Sequence, residues 1–220
     1  MEKQEKINKV LSILFHKYDS NEKTTLNRMR RDNNKDPFKI LISCLLSLRA
    51  RDENTEVVSR KLFEVAKTPE EISKMPIKKL EKIIFSSGHY HKKARTLKHV
   101  SKVLIDDYNS KVPNNKEELL SIKGIGPKTA NIVLAFAFNQ CVIPVDTHCH
   151  KIPNRLGWFK TKIAEKTEPE LMKIIPKKYM CDFNAVFVQF GREICITISP
   201  RCSICPVREY CKRVGVNRSR

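Results

Sequence analysis

Apolar residues recur at helical spacing along most of the chain, and this periodicity limits the possible folds more than any other feature. Ile7, Val10 and Leu14 lie three or four residues apart, and the same spacing returns in stretches 38–48 and 92–108. No stretch alternates apolar and polar residues as a half-buried strand does. The chain has 6 glycines against 11 prolines, which disfavours a turn-rich β fold. We therefore predict an all-α protein.

The charge balance points to a polyanionic partner. Lys and Arg number 43 and Asp and Glu number 24, so the formal net charge is +19 at pH 7. Such an excess attracts nucleic acid, although lysines that only solubilise the chain are an alternative. The longest apolar run, residues 132–138, is far shorter than the ~20 residues of a membrane-spanning helix. The charged N-terminus lacks the apolar segment of a secretory signal. We predict neither a secreted nor a membrane protein.

Two patterns predict helix starts with reciprocal side-chain caps. Thr68 is followed by Pro69 and Glu71, which supplies an N-cap, a proline in the first turn and an acid three residues on. Thr167 and Glu170 have the same spacing. Both are interpreted as capping boxes.

The segment Leu119–Ala130 combines two glycines with a helix start. Gly124 and Gly126 lie between apolar segments and allow a tight turn, and Pro127 can begin the next helix. The exposed N–H groups of such a turn and the positive helix end together form an anion site. A tight turn between two core helices is the alternative. The segment resembles the helix-hairpin-helix motif, which implies that amides around Gly124 and Gly126 hold a DNA phosphate.

A lysine and an aspartate eighteen residues apart are candidate catalytic residues. Lys128 lies in the first turn of the predicted helix, where the helix end and partial burial would favour its free amine, the form a nucleophilic lysine needs. A simple phosphate contact is equally compatible with its position. Asp146 follows the apolar run Ile143–Val145 and can serve as an N-cap, as a catalytic carboxylate or as both.

Together, Gly124–Ala130 and the run Val145–His148 resemble the active-site signature of endonuclease III, a helix-hairpin-helix DNA glycosylase family. The signature names a lysine and an aspartate, which Lys128 and Asp146 match. Family members without lyase activity carry another residue at the lysine position. The resemblance therefore implies a DNA glycosylase and AP lyase that excises a base and cleaves the strand through a lysine Schiff base.

Four of the eight cysteines are candidate metal ligands. Cys195, Cys202, Cys205 and Cys211 have the spacing C-x6-C-x2-C-x5-C, and four thiolates can hold either zinc or a [4Fe–4S] cluster. The spacing is similar to that of the C-terminal loop of endonuclease III, which implies [4Fe–4S]; zinc is the alternative. The other four cysteines lie in or beside apolar stretches and are interpreted as small core residues. They are Cys44, Cys141, Cys149 and Cys181.

Further DNA contacts follow from the resemblance and from charge. Arg49 stands where the family often has a glutamine that fills the gap left by a flipped base, and His89 stands where it often has a leucine wedge. Either could instead contact phosphate. Basic residues around the cysteines are candidate phosphate contacts, with a solvated basic terminus as the alternative. They are Arg201, Arg208, Lys212 and Arg213. Trp158, the only tryptophan, is interpreted as a core residue.

The resemblance implies two helical lobes with a DNA groove between them. Residues 30–140 would form a six-helix lobe with the hairpin at about 117–131. Residues 1–29 and 141–220 would form the iron–sulfur lobe with its cluster loop at 195–211.

The implied partner is double-stranded DNA that contains a damaged base or an abasic site, bound by a monomer. The implied activity removes oxidised pyrimidines such as thymine glycol. A uracil or thymine mismatch glycosylase and a non-catalytic iron–sulfur DNA-binding protein are the alternatives. The expected location is cytoplasmic and nucleoid-associated if the source is prokaryotic.

Overall fold

The computed structural model describes residues 2–18, 35–48 and 52–220, and the regular elements in these ranges are all helical. This confirms the predicted all-α class. The α-helices are Lys3–Lys17 (α1), Pro37–Ser47 (α2), Asp52–Val65 (α3), Pro69–Lys74 (α4), Ile77–Ile84 (α5), Tyr90–Tyr108 (α6), Lys116–Ser121 (α7), Pro127–Ala137 (α8), Thr147–Leu156 (α9), Ala164–Ile174 (α10) and Lys177–Glu193 (α11). Short 3-10 helices lie at Phe85–Ser87, Cys202–Ile204 and Arg208–Tyr210. No helix in the described ranges is long and apolar enough to span a membrane.

The chain divides into two compact units. One, Arg28–Gln140, is called the hairpin unit here, and the other, Met1–Asn27 with Cys141–Arg220, is called the cysteine unit. Each has its own set of packed helices.

The hairpin unit is built around the apolar helix α2. Asp36 caps this helix, because its side chain accepts hydrogen bonds from Phe38 N (2.9 Å) and Lys39 N (3.1 Å), and Pro37 occupies the first turn. Helix α2 is buried on most of its surface and packs against α3, α6 and α8. Its burial explains why it is apolar all round and not on one face alone.

The core of the cysteine unit lies among α1, α9, α10 and α11. Phe183 and Phe187 stack with ring centroids 3.9 Å apart, and the ring of Trp158 packs edge-on against Phe187 at 5.9 Å. Trp158 is buried, as expected from the sequence. Phe183 and Phe187 belong to α11, and helices α1 and α9 pack against α11.

Local signals near helix ends are partly confirmed. Thr68 and Glu71 form the predicted capping box at the start of α4. The capping box predicted at Thr167 is wrong, because α10 begins at Ala164 and Thr167 lies inside it, where its hydroxyl donates to the carbonyl of Ile163 (3.1 Å). Thr167 is buried and its hydroxyl also bonds Thr161. The threonine therefore serves tertiary packing and not the helix end.

The interpretation of four cysteines as core residues holds for two of them. Cys44 and Cys149 are buried, Cys181 is half-buried and Cys141 is exposed. Cys141 follows the end of α8 by four residues and lies in an irregular segment, so its apolar neighbours in sequence do not bury it.

Candidate active site

The turn between α7 and α8 has the backbone geometry of an anion site. Gly124 has φ +107°, and a Cβ at this position would lie 2.7 Å from Thr96 Cγ2 on α6. Ile125 is buried, and its N–H donates to Ile122 O (3.0 Å), which closes the turn. Gly126 is the N-cap of α8, and both glycines are exposed. The free N–H groups at the start of α8 can therefore donate hydrogen bonds to an anion from solvent.

Lys128 is the second residue of α8 and its side chain is exposed. The partial burial that the sequence led us to expect for Lys128 is therefore wrong. The nearby thiol of Cys44 is on α2, which packs against α8. Burial raises the pKa of Cys44 to about 12, although the positive charge of Lys128 acts in the opposite direction. A buried thiol with a raised pKa is a poor nucleophile.

Asp146 is the N-cap of α9, as one of its two sequence interpretations predicts. Its Oδ1 accepts hydrogen bonds from His148 N (2.9 Å) and Cys149 N (2.8 Å). The preceding residues Pro144 and Val145 are buried, and Asp146 is half-buried at the edge of the core. Both bonds use the same oxygen, so the carboxylate is oriented by its own helix.

Helix α11 contacts the segment around Asp146 through Asn184 and Gly191. Asn184 is almost fully buried, and its Nδ2 donates to Pro144 O (2.7 Å) and lies 3.5 Å from Cys149 Sγ. Gly191 allows the ring of His148 to approach, because a Cβ there would lie 2.2 Å from His148 Nδ1. Sequence reasoning missed Asn184. Its signal was an amide in the otherwise mostly apolar run Phe183–Phe190, which also contains Gln189.

His89 and the hairpin glycine line one surface cavity of the hairpin unit. His89 is exposed, adopts the left-handed conformation (φ +48°) and precedes α6. Leu45, Leu48, Lys92, Lys93 and Thr96 line the cavity together with His89 and Gly124. The structure thus brings two predicted DNA contacts to one basic concavity. Arg49, a third, lies outside the described residues.

Lys93 is a buried cation that sequence reasoning missed. Its side chain is 7 % exposed, and Nζ donates to Leu46 O and Ser87 O, both at 2.6 Å. Burial lowers the pKa of Lys93 to about 8. These bonds tie the last turn of α2 to the 3-10 turn that precedes His89, so Lys93 holds two segments at the rim of the cavity.

The four candidate ligand cysteines share one cavity of the cysteine unit. Within the described ranges, no three His, Cys, Asp or Glu side chains converge closely enough to hold a single metal ion. Four thiols that line a common cavity suit a [4Fe–4S] cluster, in which each of four thiolates binds one iron. Burial raises the pKa of Cys205 to about 11 and also that of Cys211. Metal binding would have to displace these protons.

N–H groups point at two of these sulfurs. Arg155 Nη1 lies 3.5 Å from Cys195 Sγ, and the backbone N–H of Arg213 lies with its nitrogen 3.4 Å from Cys211 Sγ. Donors of this kind stabilise cluster-bound thiolates, so the residues present fit an iron–sulfur group.

Arg155 also anchors the loop to α9. Its guanidinium donates to Ile196 O (2.8 Å) and Thr197 O (2.7 Å), and its own carbonyl accepts from Val214 N (3.0 Å). One buried arginine therefore connects both ends of the cysteine loop to the same helix.

The predicted basic contacts Arg201, Arg208 and Lys212 are exposed on this loop. The aliphatic part of Lys212 packs against Gly157, where a Cβ would lie 2.4 Å from Lys212 Cδ. The ammonium group can still reach solvent because the side chain is long.

The sequence matches a known protein family and its curated members. The profile of the HhH-GPD superfamily of base excision DNA repair proteins matches residues 42–177. The chain is 46% identical to endonuclease III of Thermotoga maritima over 80% of its own length and 83% of the relative's. It is 36% identical to endonuclease III of Rickettsia conorii over 93% of its own length and 94% of the relative's.

Solved structures agree with the sequence relatives. A trapped endonuclease III–DNA covalent intermediate superposes with a TM-score of 0.85 at 33% identity and covers 97% of both chains. A thermostable thymine-DNA glycosylase superposes with a TM-score of 0.84 at 25% identity, covering 95% of this chain and 96% of the other.

The family profile and the solved structures define the class of protein as a DNA repair enzyme. The chain belongs to the HhH-GPD superfamily of base excision DNA repair proteins. The resemblance to endonuclease III is confirmed, and so is the function class of a base excision repair DNA glycosylase.

Proposed function

We propose that this chain excises oxidised pyrimidines such as thymine glycol from double-stranded DNA and cleaves the strand by β-elimination. The observation that carries the proposal is Lys128, exposed at the start of α8 directly after the hairpin turn. Nucleophilic attack needs an amine that the substrate can reach, and an exposed lysine at this position supplies one. The identity to endonuclease III relatives, up to 46%, supports this substrate class over others.

In the proposed reaction, the Lys128 amine attacks C1′ of a deoxyribose whose base has been flipped from the duplex. The C1′–N bond breaks, and the base leaves with the electron pair and takes up a proton. Asp146 accepts a proton from the lysine nitrogen or stabilises positive charge on the sugar. Opening of the sugar ring gives a Schiff base, which acidifies the C2′ proton. Loss of that proton breaks the C3′–O bond on the 3′ side of the lesion.

DNA would be held mainly through its phosphates. The amides around Gly124 and Gly126 would bind one phosphate without reading sequence. The exposed side chains of Arg201, Arg208 and Lys212 would bind others, and His89 and Arg49 would contact the site of the flipped base. The relatives are bacterial, and we propose that the protein acts as a monomer on nucleoid DNA.

The cofactor of the proposed enzyme is a [4Fe–4S] cluster held by Cys195, Cys202, Cys205 and Cys211. When bound, the cluster cross-links four positions of the loop through iron–thiolate bonds. Arg155 and the Arg213 amide would donate hydrogen bonds toward Cys195 and Cys211. The loop then presents its basic residues from a fixed frame.

A second candidate function is the excision of thymine or uracil from mismatches. The likeness to a thermostable thymine-DNA glycosylase favours it, because that structure superposes nearly as well as endonuclease III. Its identity of 25% is lower than the 33% of the endonuclease III structure, which is why the oxidised pyrimidine is preferred.

Borohydride trapping tests both the chemistry and the substrate. The wild type is expected to form a covalent complex with a duplex that contains one thymine glycol, and Lys128→Ala is expected to form none. Lys123→Ala is the matched control, because Lys123 is exposed in the same hairpin and carries the same charge. Asp146→Asn should slow base release by about 10² to 10⁴-fold.

Each other outcome contradicts a part of the proposal. Trapping that persists in Lys128→Ala would refute the assigned nucleophile. Trapping on a plain abasic site but no release of thymine glycol, with release from mismatched duplexes, would establish the second candidate. DNA binding without trapping on any substrate would refute the lyase and leave a monofunctional glycosylase or the non-catalytic alternative.

A further inference from the structure

A side chain of helix α11, which carries no predicted site residue, contacts the segment around Asp146. Asn184 lies in the middle of α11, a helix that carries the buried core residues Phe183 and Phe187, and is 1 % exposed. Its Nδ2 donates to the carbonyl of Pro144, two residues before Asp146. The same nitrogen lies 3.5 Å from the sulfur of Cys149, three residues after Asp146. One amide thus contacts the chain on both sides of the carboxylate.

Those two contacts bracket the hydrogen bonds that orient the carboxylate. Asp146 Oδ1 accepts from the N–H groups of His148 and Cys149. Cys149 therefore holds Asp146 through its backbone and faces Asn184 through its side chain. A shift of the Pro144 carbonyl or of Cys149 would change the direction in which the carboxylate points.

Burial of an amide costs free energy unless both its nitrogen and its oxygen are hydrogen-bonded. Asn184 Oδ1 has no hydrogen-bond partner among the described residues and is shielded from solvent. A buried carbonyl oxygen without a partner loses its hydration without compensation. A leucine, which branches at the same carbon, would avoid this cost but would leave the carbonyl of Pro144 without its donor. The asparagine is therefore accounted for by its hydrogen bond to the Pro144 carbonyl and not by filling space.

We propose that Asn184 is a positioning residue, which fixes the Pro144–Cys149 segment so that Asp146 is held in its reactive orientation. The proposal rests on the catalytic role proposed for Asp146. Asn184 itself touches neither substrate nor the reacting atoms. Because a displacement of about 1 Å at a catalytic group can cost about 100-fold in rate, loss of the amide should slow the chemical step by about 10- to 100-fold.

Single-turnover kinetics separate positioning from stability. The rate constant of base release is measured on thymine glycol duplex with enzyme in excess, and the active fraction is taken from the trapped amplitude with DNA in excess. Asn184→Leu should lower the rate constant and leave the active fraction and the DNA Kd unchanged. Asn184→His should restore most of the rate, because the ring Nδ1–H lies at about the same reach as the amide nitrogen. Asn184→Ser, which keeps a polar group of shorter reach, replaces Asn184→Leu if that variant does not fold.

A matched control comes from the neighbouring helix. Asn154 on α9 also donates from Nδ2 to a backbone carbonyl, that of His150 (2.7 Å), but lies two turns from Asp146. Asn154→Ala should change stability and leave the rate constant at the wild-type value. In the Asp146→Asn background, Asn184→Leu should have no further effect, since both changes act through one carboxylate.

Failure of this inference is distinguishable from failure of the proposed function. If Asp146→Asn is slow and folded Asn184→Leu reacts at the wild-type rate, the positioning role is refuted and the proposed function stands. If Asn184→Leu loses active fraction while the remaining enzyme keeps its rate constant, Asn184 is structural and the inference is refuted. If Asp146→Asn itself reacts at the wild-type rate, the role of Asp146 fails, and the positioning role fails with it.

Discussion

Arg155 should determine whether the cysteine loop stays attached to α9. Its side chain is 9 % exposed and makes two short hydrogen bonds, to Ile196 O (2.8 Å) and Thr197 O (2.7 Å). Hydrogen bonds from a charged donor contribute about 1.5–3 kcal/mol each, so Arg155→Met should lower the unfolding free energy by about 3–6 kcal/mol. That loss is a large share of the total stability of a typical protein, about 5–15 kcal/mol.

Urea denaturation followed by circular dichroism measures the loss, and amide hydrogen exchange across residues 196–214 locates it. Arg208→Met is the matched control, because Arg208 is exposed on the same loop and should change stability by no more than about 0.5 kcal/mol. Equal losses in the two variants, or unchanged exchange in the loop of Arg155→Met, would refute the reasoning. Either result would mean that the guanidinium bonds do not hold the loop.

Two further predictions concern the hairpin unit. Gly124→Ala should destabilise the protein by about 1–3 kcal/mol in thermal denaturation, because φ is +107° and the new Cβ would meet Thr96. Gly126→Ala, with open space around it, should cost much less, and equal costs would contradict the argument. Burial lowers the pKa of Lys93 from 10.5 to about 8, so between these pH values the unfolded chain binds a proton that the folded chain lacks. The unfolding free energy should therefore gain up to about 1.4 kcal/mol per pH unit from Lys93 as pH rises through this window. Urea denaturation at a series of pH values should show no such increase in Lys93→Met. The same dependence of the unfolding free energy on pH in the variant and the wild type would refute the argument.

Local patterns predicted the helices well where neighbours in sequence decide the structure. The capping box at Thr68 formed because its cap partner is three residues away. The same pattern failed at Thr167, because an earlier helix start at Ala164 buried the hydroxyl against Thr161. Sequence spacing could not distinguish these cases, since the difference lies in what packs over each threonine.

Candidate site residues follow the same division. The turn at Gly124 and the N-cap at Asp146 depend on a few consecutive residues and were predictable from residue types alone. The exposure of Lys128 was not, because it depends on how α8 packs against α2. Cys141 was misjudged for a related reason, since apolar neighbours in sequence do not guarantee a buried position.

The sequence by itself determined the helical class and the hairpin turn, and it singled out the lysine, the aspartate and the four cysteines as candidate site residues. Only the tertiary structure assigned partners to the three buried polar side chains that support these features. Lys93 bonds a carbonyl 47 residues away, Arg155 one 41 residues away and Asn184 one 40 residues away. No periodicity or short motif encodes such contacts, because they form only when helices distant in sequence pack and exclude the water that would otherwise satisfy each polar group.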